Sequence, residues 1–217
     1  MVKMQRAPAK IFDAATFLIS INSQKTPVSF PGRQIIFSEG ERSDSIFYIE
    51  RGTVKLTVTS RQGKEAIIGV FSRGDLFGES CIASDQPVRF HNAVALTEVH
   101  VVKIDRTAVV SALLAGGGTC YNFITYLLGR NTRIQADLVN NLMGSGEERL
   151  ARVLFSLAQP GSFDSPAKVS QQTLAEMIGT TRQRVNVLMK RFRNLGLIEY
   201  TPGLKVHDSL RSMFGND

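Results

Sequence analysis

The chain has 217 residues, 43% of them hydrophobic, and a formal net charge of +7, which fits one large or two modest globular domains. No apolar run approaches the ~20 residues of a membrane-spanning helix, and the first twenty residues lack the apolar stretch and cleavage site of a signal peptide. The two cysteines, Cys81 and Cys120, exclude a disulfide framework, so we expect a protein of the reducing cytoplasm.

Residues 1–30 are a weakly patterned lead-in, with a short helix expected within residues 7–20. After Phe30, short apolar segments alternate with glycine turns, in the order QIIF, Gly40, IFYIE, Gly52, TVKLTVTS, Gly63, AIIGVF and Gly74. The period-two alternation of TVKLTV is typical of a half-buried strand. With two further strands near residues 92–95 and 99–104, this spacing indicates a compact antiparallel sandwich or barrel.

A short helix is predicted over residues 105–115, and the glycines at 116–118 predict a hinge before a long helix over residues 119–143. Steps of four and three along the long helix give a heptad seam of Ile124, Leu127, Asn131, Ile134, Leu138 and Asn141. We predict that this seam, broadened by Leu128 and Leu142, is a dimer interface in which a buried Asn131 fixes the register. The alternative is a helix that packs only on its own domain.

After a second hinge at residues 144–146, a helix over 147–157 and a loop over 159–168, residues 169–200 predict a helix-turn-helix. Its first helix has an apolar face, and Gly179 follows where a helix ends and the chain turns. Thr180 or Thr181 is expected to cap the second helix, whose apolar stripe consists of Val185, Leu188 and Met189. The alternative is an ordinary amphipathic helix pair with a solvated basic face.

The front of the second helix is basic and rich in amides, since five basic residues and no acidic ones lie between positions 181 and 193. Such a helix fits the DNA major groove, where Lys and Arg meet phosphates while Arg and Gln reach base edges. Residues 200–206 predict a small hairpin wing beside it. The predicted DNA-binding residues are Thr181, Arg182, Gln183, Arg184, Asn186, Lys190, Arg191 and Lys205.

The segment DLFGESCIASDQPVR between the strand groups contains Gly78 and Glu79 on a tight turn, with Arg89 ten residues after Glu79. Free backbone N–H groups and one arginine form an economical anion site. Glu79 is expected to accept either from a sugar hydroxyl or from Arg89. The alternative is an Arg–Glu pair with a purely structural role.

The order of these motifs resembles the Crp/Fnr family of bacterial transcription regulators over roughly residues 30–206. FPGRQIIFSEGERSDSIFYIERGTVKLTV is similar to that family's first β-roll strands, LFGESCIASDQPVRFHNAVAL to its cyclic-nucleotide phosphate-binding cassette, and VSQQTLAEMIGTTRQRVNVLMKRF to its DNA-reading helices. The resemblance implies an α+β protein with three parts: a β-roll sensor over residues 1–118, a dimerisation helix over 119–143 and a winged helix-turn-helix over 146–217. It implies a homodimer on a pseudo-palindromic operator, with RNA polymerase as a further partner.

By this resemblance the ligand-binding residues are Gly78, Glu79, Ser80, Arg89, Phe90, Ile134 and Gln135. Two of them depart from the pattern of cyclic-AMP-binding members. Phe90 stands where a small residue follows the arginine, and Ile134 cannot donate the hydrogen bond that a hydroxyl residue gives to the purine. Cyclic AMP, another cyclic nucleotide, another small anion or no ligand therefore all remain open.

The resemblance also bears on DNA reading and on other sensors. Arg182, Gln183 and Asn186 fall at the family's main base-reading positions, and archetypal members carry a glutamate where Gln183 stands, so we expect a different half-site. Two cysteines cannot ligate an iron–sulfur cluster, which takes four. We expect Cys81 to be a small buried hydrophobe and His91 a strand residue with a hydrogen-bonded ring. The alternatives are haem ligation by either residue, or a regulator without a nucleotide ligand that is constitutive or redox-responsive through Cys81. No metal site, catalytic constellation or enzymatic activity is expected.

Overall fold

The computed structural model describes residues 17–18, 21, 25–63, 65–83, 87–158, 169–199 and 204–214. Eight strands form its N-terminal part: β1 Lys25–Phe30, β2 Ile35–Phe37, β3 Ser45–Arg51, β4 Val54–Thr59, β5 Glu65–Phe71, β6 Leu76–Phe77, β7 Asn92–Ala95 and β8 Val99–Asp105. They make two antiparallel sheets, with strand orders β1-β8-β3-β6 and β2-β7-β4-β5. The predicted sandwich is confirmed.

Two strands were not expected. The first, β1, lies in the weakly patterned lead-in, and it is an edge strand that pairs only with β8 in the described sheet. Its Pro27 sits opposite Val102, which an edge position tolerates because proline donates no ladder hydrogen bond. The second, β6, has two residues, too few for a periodicity signal. The short helix predicted within residues 7–20 falls mostly outside the described residues.

The strand β3 is buried on both faces, and this explains how the sheets and helices layer. Phe47 and Ile49 point into the core between the two sheets, together with Leu56 and Phe77. Ile46, on the opposite face of β3, belongs to a second core under the helices that follow the sandwich. The first sheet is therefore covered by the second sheet on one side and by helices on the other.

Two helices follow the sandwich: α1 Arg106–Leu114 and α2 Gly117–Met143. They meet at an angle of 114° at Gly116, whose φ of 75° lies in the region that favours glycine. Residues 115 and 116 separate the two helices, so of the predicted hinge at 116–118 only Gly116 lies outside a helix, and α2 begins at Gly117. Among the described residues, no single helix is long and apolar enough to span a membrane; only α1 and α2 taken together meet that criterion.

The start of α2 is fixed to the first sheet. Phe123 and Tyr126 are buried in the core beneath α1 and α2. The Tyr126 hydroxyl donates to the Leu76 carbonyl at 3.1 Å and accepts from the Leu76 N–H at 3.0 Å. This places one face of α2 against β6, while residues 131–139 of its C-terminal half are exposed in the part of the chain that the structure describes.

The C-terminal part has three helices, α3 Gly146–Ala158, α4 Gln171–Ile178 and α5 Arg182–Asn194, and the strand pair β9 Ile198–Glu199 and β10 Lys205–Val206. The Ser170 hydroxyl caps α4 and the Thr181 hydroxyl caps α5, accepting from the N–H of Arg184 at 3.2 Å. Gly179 between them has the left-handed φ of 65°. The predicted helix-turn-helix is confirmed, and Thr181 rather than Thr180 is the cap.

The tail of the chain gave little signal in the sequence but is part of this core. A 3₁₀ helix over Asp208–Met213 buries Leu210 against the residues of α3. The predicted loop at 159–168 and the tip of the predicted wing at 200–203 fall outside the described residues.

Candidate ligand and DNA-binding sites

Gly78 follows β6 at the entry to the predicted anion cassette, and its backbone has a φ of 82°. A Cβ at this position would lie 2.6 Å from Nη1 of Arg89 and 3.3 Å from the carbonyl oxygen of Ser45. Both the backbone conformation and the space therefore require glycine here. The absence of a side chain at Gly78 lets the cassette lie close to β3 and lets Arg89 lie close to the cassette.

Arg89 is 3% exposed and lies inside the sandwich. Its Nη1 donates to the Gly78 carbonyl at 3.2 Å, and its Nη2 donates to the Ser45 carbonyl at 2.8 Å. The guanidinium carbon lies 4.1 Å from the centre of the Phe37 ring, a distance at which a cation is attracted to the ring face. Arg89 therefore braces the cassette from within.

Glu79 pairs with a residue that sequence reasoning missed. Its Oε1 lies 2.5 Å from Nη1 of Arg130 on α2. Arg89 donates instead to backbone carbonyls, so Arg89, one of the two partners considered for Glu79, does not pair with it. The Arg130 guanidinium also lies over the Phe71 ring at 4.6 Å. The signal in the sequence was a basic residue one helical turn before Ile134.

Several buried polar atoms around the cassette have no hydrogen-bond partner among the described residues: Oε2 of Glu79, Oγ of Ser80, Nε of Arg89 and Nε2 of His91. A buried polar group without a partner costs ~1–3 kcal/mol, so a cluster of them fits a polar ligand. Within the described part of the chain, the Nε2 atom of His91 therefore lacks the hydrogen bond that was expected for its ring. Burial lowers the pKa of His91, so its imidazole is neutral at neutral pH.

The other predicted ligand residues are not brought to the cassette by the described contacts of one chain. Phe90 is 64% exposed, beside the buried Arg89. Ile134 and Gln135 lie on the exposed part of α2. Within one chain, the cassette is instead contacted from α2 by Tyr126, at Leu76, and by Arg130, at Glu79.

Cys81 is buried in the core beneath α1 and α2, as expected. Burial raises the pKa of its thiol to about 11, so the reactive thiolate is scarce at neutral pH. This weighs against a redox sensor at Cys81. No group of three or more His, Cys, Asp or Glu side chains suited to a metal occurs among the described residues.

The helix α5 separates into a buried back and an exposed basic front. Val185, Leu188, Met189 and Phe192 pack in the core of the C-terminal part. All eight predicted DNA-binding residues are exposed. Two of them lie near carboxylates of the chain: Nη1 of Arg191 is 2.8 Å from Glu147, and Nζ of Lys205 is 3.9 Å from Glu199. The remaining positions present cations and amides directly to solvent.

Of the predicted dimer seam, five residues are exposed and one is not. Leu127 is half-buried against the chain's own core, because it shares the face of α2 that carries Phe123. The exposed positions that follow a heptad spacing are Tyr121, Ile124, Leu128, Asn131, Gln135, Leu138 and Leu142. This exposed stripe differs from the predicted seam by one residue at every second position. Leu128, Gln135 and Leu142 replace Leu127, Ile134 and Asn141.

Comparisons with known proteins agree with both halves of this arrangement. Residues 27–115 match the model of the cyclic nucleotide-binding domain, and residues 148–210 match the Crp-like helix-turn-helix domain. A CRP-like cAMP-activated global transcriptional regulator of Mycobacterium tuberculosis is 28% identical over 187 residues, covering 83% of each chain.

Solved structures have the same fold. FixK2 from Bradyrhizobium japonicum superposes with a TM-score of 0.75 at 17% identity, over 90% of this chain and 100% of that one. The c-di-GMP responsive global regulator CLP from Xanthomonas campestris gives 0.73 at 18% identity, over 89% of this chain and 99% of that one.

Proposed function

Because this chain belongs to the Crp/Fnr family of transcription regulators, we propose that it binds a pseudo-palindromic DNA operator as a cytoplasmic homodimer under the control of a small anionic ligand. Residues 1–118 serve as the sensor, 119–143 as the dimerisation helix and 146–217 as the DNA-binding domain. The chain acts by binding and not by catalysis.

The observation that carries the DNA-binding role is the capped, basic helix α5. Its back is fixed in a packed core, while Arg182, Gln183 and Asn186 are exposed at its start. A rigid helix with amides and guanidiniums at its N-terminal end reads base edges, and the flanking cations hold phosphates. Arg184, Lys190, Arg191 and Lys205 are assigned to phosphate.

A ligand role for the cassette is supported by the unpartnered buried atoms around Glu79, Ser80 and Arg89 and by the relatives. The Mycobacterium tuberculosis protein is named as cAMP-activated and the Xanthomonas campestris protein as c-di-GMP responsive. Both ligands are cyclic nucleotides whose phosphates suit an arginine and free N–H groups. We therefore expect a cyclic nucleotide at the cassette.

The mechanism we propose is a population shift. Glu79 belongs to the cassette and Arg130 to α2, so a ligand that takes Oε1 of Glu79 from Arg130 also changes the hydrogen bonding of α2. A ligand shifts an equilibrium by as much as its affinities for the two states differ. In a dimer joined along the exposed seam of α2, such a shift alters the spacing of the two recognition helices, which must lie about one DNA turn apart. RNA polymerase is the expected further partner.

A second candidate is a regulator that binds DNA without a nucleotide. It is favoured by Arg89, whose guanidinium is already bonded to the chain's own carbonyls, and by the aliphatic Ile134. The two candidates share the DNA-binding role and differ in what the cassette does.

The test has two arms. The first is selection of operators from a random DNA pool, followed by fluorescence-anisotropy titration at low and physiological salt. Contacts to phosphates alone give measurable binding at low salt, so no binding under that condition would contradict the regulator role.

The second is isothermal titration with cyclic AMP, cyclic GMP and cyclic di-GMP, repeated on the Arg89→Lys variant. Heat in the wild type that the variant loses supports the cassette. The second candidate is supported if the protein binds its operator tightly, none of the nucleotides gives a heat of binding, and none of them changes the operator affinity.

A further inference from the structure

A lysine of the sensor connects the sensor to the DNA-binding domain. Lys55 on β4 lies between two carboxylates: its Nζ is 2.9 Å from Oε1 of Glu65 on β5 and 3.4 Å from Oε2 of Glu176 on α4. The side chains of Lys55 and Glu176 are 13% and 16% exposed, so salt screens this contact less than it screens a surface pair. α4 also packs against β5.

Each of the two partners keeps a second partner when the contact opens. Lys55 stays beside Glu65 on the neighbouring strand. Oε1 of Glu176 accepts from Nε2 of Gln172, one turn earlier on α4, at 3.0 Å. Breaking a buried pair is normally expensive because it leaves a charge without a partner. Because Lys55 and Glu176 each keep another partner, the free-energy cost of separating them is reduced. The contact is therefore suited to open and close.

The packing around the contact is incomplete. A cleft of about 380 Å³ lies between β5, α2 and the DNA-binding domain, and its lining includes Ile68, Arg133, Asp137, Arg152 and Met177. The core cluster of the DNA-binding domain contains none of the described side chains of the sensor, and domain interfaces with so little shared core permit relative motion. The free energy of docking therefore depends strongly on the polar contact at its edge.

The docked position leaves the DNA-reading face uncovered. Arg182, Gln183 and Asn186 are exposed while Glu176 is held by Lys55. The contact therefore governs the direction in which α5 points and does not block access to DNA.

We propose that Lys55 and Glu176 form a reversible latch that docks the DNA-binding domain on the second sheet of its own chain. With the latch closed, α4 and α5 move with β4 and β5 as one body. With it open, the domain turns about the junction between α2 and α3. The docking is a property of the two domains alone, and only its consequence for operator binding rests on the proposed function.

The chain contains no tryptophan, so a Met177→Trp variant gives a single reporter in the cleft, at a position that is half-buried in the docked structure. In that background we would compare Lys55→Glu, Glu176→Lys and the double variant that exchanges the two charges. Each single reversal places like charges together and opens the latch, so acrylamide quenching of the tryptophan rises as its side chain becomes solvent-accessible. All of these variants also carry Glu65→Gln, because a glutamate at position 55 would otherwise lie against the carboxylate of Glu65. The double variant then restores the attraction across the latch and returns the quenching towards the starting value.

Lys103→Glu is the matched control, because Lys103 lies on β8 of the other sheet, 3.9 Å from Asp44, and should leave the quenching unchanged. Glu176→Gln, which removes the charge with little change of shape, provides a second test should Glu176→Lys fold poorly. Equal quenching in the reporter background and in all latch variants, or no recovery in the double variant, overturns the latch.

Operator affinity forms a separate arm. Lys55→Glu should weaken operator binding several-fold, about three- to tenfold, because an undocked domain loses more orientational freedom when it binds. If the chain binds no DNA at all, the proposed function is wrong. The quenching experiments still test the latch in that case, because they do not involve DNA.

Discussion

Nη1 of Arg130 lies 2.5 Å from Oε1 of Glu79, so a side chain of the long helix ends inside the cassette of the sensor. Arg130 also covers the ring of Phe71 at the end of β5. One guanidinium thus touches the cassette, the second sheet and α2. A ligand that engages Glu79 either takes Oε2, which is unpartnered among the described residues, and leaves this ion pair in place, or displaces Arg130 from Oε1.

Replacing Arg130 by methionine should lower stability. The pair is 16% and 20% exposed, and removing one partner leaves Glu79 largely buried without its cation, a loss of about 2 kcal/mol. The Glu79→Gln/Arg130→Met double variant should be less destabilised than the sum of the two single variants, as measured by urea unfolding. Strict additivity would mean that the two side chains do not interact.

A charge on the exposed seam of α2 should break the dimer. Leu128 is 61% exposed, so Leu128→Glu leaves the monomer folded but places like charges across the proposed helix pair, and sedimentation velocity should show a monomer. Leu114→Glu, an exposed apolar position on α1, is the control and should remain dimeric.

Leu127→Ala should have the opposite effect, because Leu127 packs against its own core. It should lower the unfolding temperature and leave the oligomeric state unchanged. A wild-type chain that sediments as a monomer would contradict the seam altogether.

The Gln183→Glu variant should change the preferred half-site. A glutamine pairs with adenine through two hydrogen bonds whereas a carboxylate accepts from cytosine, and a good pair discriminates by ~1–3 kcal/mol. Selection from a random operator pool should reveal the change at one base pair per half-site. Arg184→Ala, a phosphate contact, should weaken all sequences about equally. An unchanged consensus in Gln183→Glu would mean that Gln183 does not read a base.

Cys81 should be inert to thiol reagents in the native protein. With a pKa of about 11, only about one thiol in a thousand is ionised at pH 8, and the side chain is buried. Ellman's reagent should modify at most Cys120 under native conditions, and Cys120→Ser should react only after unfolding. Rapid native reaction of the Cys120→Ser variant would revive redox sensing at Cys81.

His91 should make the protein less stable in mild acid. Burial holds its pKa below the ordinary value of 6.5, so the unfolded chain takes up a proton before the folded chain does. The stabilisation from neutral His91 is therefore complete above pH ~6.5 and is lost as the pH falls through the folded pKa. The urea midpoint should fall from pH 7.5 to 5, and His91→Gln should show a shallower fall. Identical slopes would assign the acid sensitivity to other groups.

The local features of the DNA-binding domain could be predicted from sequence because each depends on neighbouring residues. Thr181 caps the helix that starts at the next residue, and Gly179 adopts the left-handed conformation that its position demands. The period-two pattern of TVKLTV likewise predicted β4. Such signals need no knowledge of distant parts of the chain.

The site could be predicted only in part because its remaining contacts join residues far apart in sequence. Glu79 and Arg130 are separated by 51 positions, and nothing in either neighbourhood indicates the other. Leu127 was assigned to the dimer seam because a heptad pattern does not reveal which side of a helix its own domain covers. Both required the packing of α2 on the first sheet.

The docking of α4 on β5 has a consequence for colloidal behaviour. β5 is the outermost strand of the second sheet, and an open strand edge is a template for pairing with other molecules. Ile68, exposed on this strand, adds apolar surface there. The DNA-binding domain therefore also protects an aggregation-prone edge strand. A variant that lacks this domain would be expected to self-associate through β5 even though the core of the sensor is intact.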